Sequence, residues 1–288
     1  MQAKRLLRRF GLRARKGLGQ HFLIDKGVLE STTLAAELTP SDIVIEVGPG
    51  LGVLTRELAR RVGWLFAIEL DSKLAAILQN NLAPFGNVTV INGDILEINP
   101  VALFSKVPVS LPGLTGNALS YKVVANLPYY ITSPVLRHFL EATVRPRLMV
   151  LMVQKEVAEA ITAGPGRMSV LSVSVQFYGR PEIISRVPAA CFYPAPEVDS
   201  AILRITVYPQ PAVAVADVSG FFSLVRAGFS TARKQLVNSL SQGLKLPKAE
   251  VLPLLQEAQV APQRRAETLT LEEWAGLWQV FTRLKGER

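Results

Sequence analysis

The segment DIVIEVGPGLGVLTREL, residues 42–58, decides the fold. Ile43 to Val47 form a short apolar run without strict alternation, the pattern of a strand buried on both faces. The run passes into Gly48-Pro49-Gly50-Leu51-Gly52, and residues 53–61 then carry apolar side chains at helical spacing. Glycines at that junction let the chain turn tightly and let a ligand approach the carboxyl edge of a sheet. The order G-x-G-x-G departs from the G-x-G-x-x-G of dinucleotide sites, whose third glycine seats the helix beneath a pyrophosphate.

Outward from this segment the same unit repeats. Residues 64–68, 88–91, 122–125 and 148–153 are further short apolar runs, and amphipathic stretches such as 72–82 lie between them. That alternation predicts an α/β domain with a Rossmann-like parallel sheet covered by helices. Residues 169–179 and 200–208 read as two more strands joined without a full helix, an edge hairpin that makes the sheet mixed, with about seven strands. After Tyr208 the proline-containing PQPAVAVAD reads as a linker, and helices are expected over 219–229, 231–242, 248–259 and 271–284. Thr270 with Glu273 is a capping-box signature for the last of them. The expected organisation is a basic arm (1–16), a sheet domain (17–208) and a small all-helical domain (209–288). Residues 105–120 read as a Pro/Gly/Ser-rich loop.

Composition narrows the class. With 49% hydrophobic and 19% charged residues the 288-residue chain is far from the disordered class, and no apolar run reaches the roughly 20 residues of a membrane span. Cys191 is the single cysteine, which excludes an internal disulfide and suits a reducing, cytoplasmic setting; no His/Cys pattern suggests a metal site. His138 has no partner at metal-ligand spacing and reads as structural. The net charge of +9 is uneven: residues 1–16 hold seven cations and no acid, residues 17–208 sum to −1, and residues 209–288 sum to +3. Cationic ends around a neutral middle suit a polyanion, above all nucleic acid. An organellar transit peptide is the competing reading of the Arg-rich arm, although the arm contains no serine.

The chemistry gathers at strand ends. Glu69 closes the second strand about 20 residues after the glycines, where an acid can accept protons from both ribose hydroxyls of a nucleotide-like cofactor. Asp94 closes the third and can accept from an adenine amino group. Glu46, Glu69 and Asp94 together would repel a pyrophosphate and favour a ligand that carries positive charge, such as S-adenosylmethionine with its sulfonium and ammonium.

The fourth strand ends in Asn126-Leu127-Pro128-Tyr129. An adenine amino group is a poor nucleophile because its lone pair is delocalised into the ring. If the Asn126 side-chain oxygen and the Leu127 carbonyl accept its two N–H groups, the lone pair is turned toward a methyl donor. Pro128 fixes the turn and brings no competing N–H. Tyr129 offers a stacking face for an extruded base, worth roughly 1–3 kcal/mol.

The ordered set GLGQHFLID (17–25), EVGPGLG (46–52), ELD (69–71), NGDIL (92–96), NLPYYITSP (126–134), VQKEVAEAI (153–161) and CFYPAPEVDSAIL (191–203) resembles the ribosomal RNA adenine dimethyltransferases. The likeness runs from about residue 15 to the C-terminus. It is strongest to the small-subunit branch, which dimethylates two adjacent adenosines in the 3′-terminal hairpin loop of 16S rRNA. The resemblance implies that His21 and Leu23 border the methionine part of S-adenosylmethionine, with Gly48 and Gly50 beside it, Glu69 on the ribose, and Asp94 with Ile95 at the adenine. It implies that Asn126 to Tyr129 bind the target amine, with Asn126 also among the cofactor contacts, and that Phe192 forms the second face of an aromatic clamp opposite Tyr129. Position 21 is often asparagine in relatives, and histidine keeps a polar group there. Implied partners are small-subunit rRNA and the immature 30S subunit, met by a monomer without membrane attachment. Arg8, Arg9, Arg13, Arg15 and Lys16 of the arm, and Arg226, Arg233 and Lys234 of the tail, are the candidate RNA contacts. Two other readings stay open: a different acceptor, such as large-subunit rRNA or DNA adenine, and a non-catalytic assembly or transcription factor on the same fold.

Overall fold

The computed structural model describes residues 15, 17, 19–107, 120–231 and 233–286. Arg8, Arg9, Arg13 and Lys16 lie outside the described residues, as does most of the 105–120 loop. The chain divides into two compact units, one running to Ala158 and resuming over Pro181–Val207, the other formed by Glu159–Arg180 with the chain from Tyr208 onward.

The first unit opens with β1 (Phe22–Leu23) and continues through β2 (Ile43–Val47), β3 (Trp64–Glu69), β4 (Val88–Asn92), β5 (Tyr121–Asn126), β6 (Leu148–Gln154), β7 (Gly179–Val187), β8 (Phe192–Tyr193) and β9 (Ser200–Val207). Seven of these form one mixed sheet in the order β4-β3-β2-β5-β6-β9-β7, while β1 and β8 pair in a separate antiparallel ribbon. The strands β2 to β6 pair in parallel, and β9 runs antiparallel to β6. Every residue of β2 is buried, as the unbroken apolar run requires of a strand covered on both faces. Chain order proceeds one way from β2 through β3 to β4 and the other way from β5 to β6. The carboxyl ends of β2 and β5 therefore flank the switch point where open α/β sheets bind ligands.

The opposite end of the sheet is closed by charge. Lys122 on β5 is buried and donates to Asp42 at 2.9 Å and to the carbonyls of Ala36 and Glu37, and Arg147 pairs with the same Asp42. Burial raises the Asp42 carboxyl, and the Lys122 hydrogen bond with its neighbours outweighs this, so its pKa is lowered. This network holds the frame and lies away from the strand ends that carry the site.

Three expectations are corrected. Residues 169–179 form a helix, Val170–Tyr178, and not a strand. Ser169 caps it by a capping box with Ser172, and Phe177 and Tyr178 enter an aromatic cluster with Phe221 and Phe222. The edge strand is instead β7, whose sequence contains Pro181 and alternating charges, features that only an edge tolerates. Residues 159–180 accordingly fold with the helical unit, so the expected boundaries 17–208 and 209–288 miss this excursion. In the helical unit the helix expected at 231–242 starts later, as Leu236–Leu244, because Ser230 and Thr231 bond to Ser239 in a turn. The last helix, Leu271–Gly286, begins as the sequence indicates: the Glu273 N–H donates to the Thr270 hydroxyl, and the Thr270 N–H donates to the Glu273 carboxylate.

Candidate active site

A cavity of about 250 Å³ opens at the carboxyl ends of β2 to β5. Its floor is the glycine turn. Gly48, Gly50 and Gly52 all have positive φ, a region that costs other residues roughly 1–2 kcal/mol. At Gly50 a Cβ would stand 3.1 Å from the Phe22 ring, and at Gly52 it would stand 2.7 Å from Leu78. The glycines let β2 turn under the cavity while the following helix closes on its neighbour.

One wall is acidic. Glu69, 6% exposed at the end of β3, accepts the Gly50 N–H on Oε2 at 3.0 Å and the Asp71 N–H on Oε1 at 2.9 Å. Burial raises its pKa, and the two amide bonds oppose that rise. Each oxygen keeps a further lone pair, so the carboxylate can take two more donors, as a ribose diol supplies. Asp94 accepts the Leu96 N–H on Oδ1 at 2.9 Å, which fixes its carboxylate at the cavity edge beside the buried Ile95. Glu46 on β2 also reaches the cavity at 1% exposure. Asp71 caps the next helix through the Lys73 and Leu74 N–H groups.

The facing wall is amide and aromatic. Asn126 ends β5, and its Nδ2 donates to the His21 carbonyl at 3.0 Å. Only an N–H can pair with a carbonyl, so Oδ1 is left for the cavity that Asn126 lines. The Leu127 N–H is tied to the Met152 carbonyl at 3.2 Å, and Pro128 leads into a tight turn closed by the Ile131 N–H on the Pro128 carbonyl. Tyr129 is held at both ends: its hydroxyl bonds the Ser200 hydroxyl at 2.7 Å, and its ring lies nearly parallel to His21 with centroids 5.9 Å apart. Burial pushes the phenol pKa up and keeps it neutral. His21 Nδ1 donates to the Pro194 carbonyl at 2.8 Å, which sets the ring plane.

Geometry of this kind fits a class of methyl-transfer enzyme, and comparison with known proteins decides which. The sequence profile described as Ribosomal RNA adenine dimethylase matches residues 11–282. The chain belongs to the ribosomal RNA adenine dimethylase family. It is 52% identical to Ribosomal RNA small subunit methyltransferase A of Dehalococcoides mccartyi strain 195, over 98% of this chain and 93% of the relative. It is 44% identical to the protein of the same name from Moorella thermoacetica, over 94% of each. Among solved structures, the 23S rRNA methyltransferase ErmE superposes with a TM-score of 0.69 at 30% identity, covering 91% of this chain and 99% of that one. A dimethyladenosine transferase from Plasmodium falciparum superposes with a TM-score of 0.74 at 24% identity, covering 91% and 98%, and shows the shared fold.

Adenine dimethylases of this family use S-adenosylmethionine, and the cavity fits it. Its described lining holds three acidic side chains and no lysine or arginine, a setting suited to a cationic ligand and hostile to a pyrophosphate. Glu69 and Asp94 have the free acceptor positions that a ribose and an adenine amino group need.

His21, Leu23, Gly48, Gly50, Glu69, Asp94, Ile95 and Asn126 to Tyr129 all line this one cavity. Phe192 is not among the residues that line it. It is 3% exposed, sits opposite Leu23 in the β1–β8 ribbon and packs into the core with Leu23 and Ile202. The pleat turns Tyr193, not Phe192, toward Phe22, Leu51 and Leu74 at the cavity wall. Arg15 is exposed and pairs with Asp71 at 3.3 Å, so it braces the turn after Glu69. Arg226, Arg233 and Lys234 are exposed on the helical unit. Sequence reasoning passed over Tyr130, which lines the cavity at 56% exposure with its ring against Gly19. The doubled tyrosine of NLPYY was the available signal.

Proposed function

We propose that this dimethylase transfers methyl groups from S-adenosylmethionine to N6 of two adjacent adenosines in the 3′-terminal hairpin loop of 16S rRNA, acting as a cytoplasmic monomer on the immature 30S subunit. The observation that carries the chemistry is the Asn126 amide, pinned through Nδ2 so that Oδ1 faces the cavity beside the Gly48 turn. Asn126 Oδ1 and the Leu127 carbonyl accept the two N–H groups of the target amine and turn its lone pair out of conjugation. The donor, when bound, supplies an electrophilic methyl on sulfur. Tyr129 stacks on the extruded base, and its bonds to Ser200 and its packing on His21 keep that face fixed. No base is needed before transfer, because the alkylated nitrogen is strongly acidic and sheds its proton afterwards. The rate comes from positioning, which can supply several kcal/mol.

The choice of acceptor rests on kinship. Relatives named for the small subunit share 39–52% identity with this chain, against 30% for a 23S enzyme. The exposed cations Arg226, Arg233 and Lys234, with the basic arm, supply sequence-independent phosphate contacts. No helix among the described residues is long and apolar enough to cross a membrane. The test is incubation of purified protein with labelled S-adenosylmethionine and small subunits from a strain lacking the modification, followed by nucleoside mapping. Label in N6,N6-dimethyladenosine of the hairpin is the expected result. Transfer to naked large-subunit RNA or DNA alone would overturn the assignment.

A further inference from the structure

Glu46 and Glu69 share the cavity but are built differently. Both Glu69 oxygens accept main-chain N–H groups, which favour its charged form and oppose the rise that burial gives its pKa. Glu46 is 1% exposed and its Oε2 has no hydrogen-bond partner among the described residues; the adjacent Thr55 hydroxyl favours the charged form, but burial outweighs it. The other titratable groups on the cavity wall are His21 before β1, Asp94 after β4, and Tyr129 and Tyr130 after β5. The described lining holds no lysine or arginine to balance a second carboxylate. Burial, reinforced by the charge of Glu69, pushes the Glu46 pKa up to about 8.

We propose that Glu46 senses charge: it holds a proton in the empty pocket and releases it to solvent when a cationic ligand enters, so the pocket favours the sulfonium methyl donor over the neutral thioether left after transfer. The inference rests on the S-adenosylmethionine reading. The donor carries a sulfonium and an ammonium against one carboxylate, whereas the product carries only the ammonium and the carboxylate. Only the donor therefore brings a net positive charge to offset an ionised Glu46. After the methyl has left, the carboxylate regains its proton, and the balance shifts toward product release.

Calorimetry of the full-length protein with S-adenosylmethionine and with S-adenosylhomocysteine, in two buffers of different ionisation heat at pH 7, tests this directly. Donor binding should release close to one proton and product binding clearly less. Donor affinity should rise as the pH is raised from about 6 to 8 and then level off, because below that range the proton must be expelled for binding. Glu46→Gln should abolish the extra proton release and lower the ratio of donor to product affinity on the order of tenfold, the equivalent of one pKa unit. Equal proton counts for the two ligands in the wild-type protein would overturn the proposal whether or not the variant folds. An unchanged affinity ratio in Glu46→Gln would do the same. Failure of the wild-type protein to bind either ligand would instead remove the cofactor reading on which the proposal stands.

Discussion

On the methyl-donor wall of the cavity, Glu69 is held by Asp71 two residues away and by Gly50 nineteen residues away; on the amine wall, Asn126 is held by His21 across 105 residues and Tyr129 by Ser200 across 71. The first wall is made by one βα unit and the start of the next, and its geometry follows once β2 and β3 pair. The second needs the N-terminal turn, the β1–β8 ribbon and the start of β9 to be in place together. Donor binding should therefore survive changes that disable transfer, while transfer should be sensitive to substitutions far along the chain.

The largest expected effect on ligand binding breaks the donor wall. Glu69→Ala removes an acceptor of charge-assisted bonds worth roughly 1.5–3 kcal/mol, so S-adenosylmethionine affinity should fall about 10- to 100-fold by calorimetry, with RNA affinity unchanged. Loss of RNA binding in the same variant would show that the two walls are not separable. Gly52→Ala puts a Cβ at φ +74°, 2.7 Å from Leu78, and should cost about 1–3 kcal/mol in chemical denaturation. Gly86→Ala is its control: it meets nothing within 4 Å and should be near neutral, and an equal loss at both positions would contradict the strain account.

On the amine wall, Asn126 apart, the effects are smaller and better seen in kinetics. Tyr129→Phe strips the bond to the fully buried Ser200 hydroxyl and should slow transfer about tenfold, with Ser200→Ala adding little on top because both remove the same contact. Additive losses would mean that the hydroxyl pair does not act as a unit. Smallest is Phe192→Leu, which should lower stability by about 1 kcal/mol and leave kcat essentially intact, as suits a core residue. A fall in kcat without a fall in stability would restore Phe192 to the base-binding clamp.

The same contrast explains what the sequence made legible. Ile43–Val47, Ser72–Leu82 and the acids at strand ends were readable because local periodicity and burial determine them. Residues 170–178 misled because Val-Ser-Val alternation mimics a strand, while the Ser169–Ser172 box and the aromatic cluster favour a helix. The true edge strand was hidden by Pro181 and its charges. Asn126 and Tyr129 were visible as a motif, but the direction of the Asn126 amide and the inward turn of Phe192 depend on His21 and Leu23, which only the folded chain brings near.

The most direct test of a cavity divided into a donor wall and an amine wall uses Asn126→Ala. Its S-adenosylmethionine affinity should stay within about threefold of wild type in calorimetry, while single-turnover methylation of small subunits should fall about 100-fold or more, because only the positioning of the amine is lost. If donor affinity collapsed in step with transfer, Asn126 would belong to the donor wall and the division would be wrong.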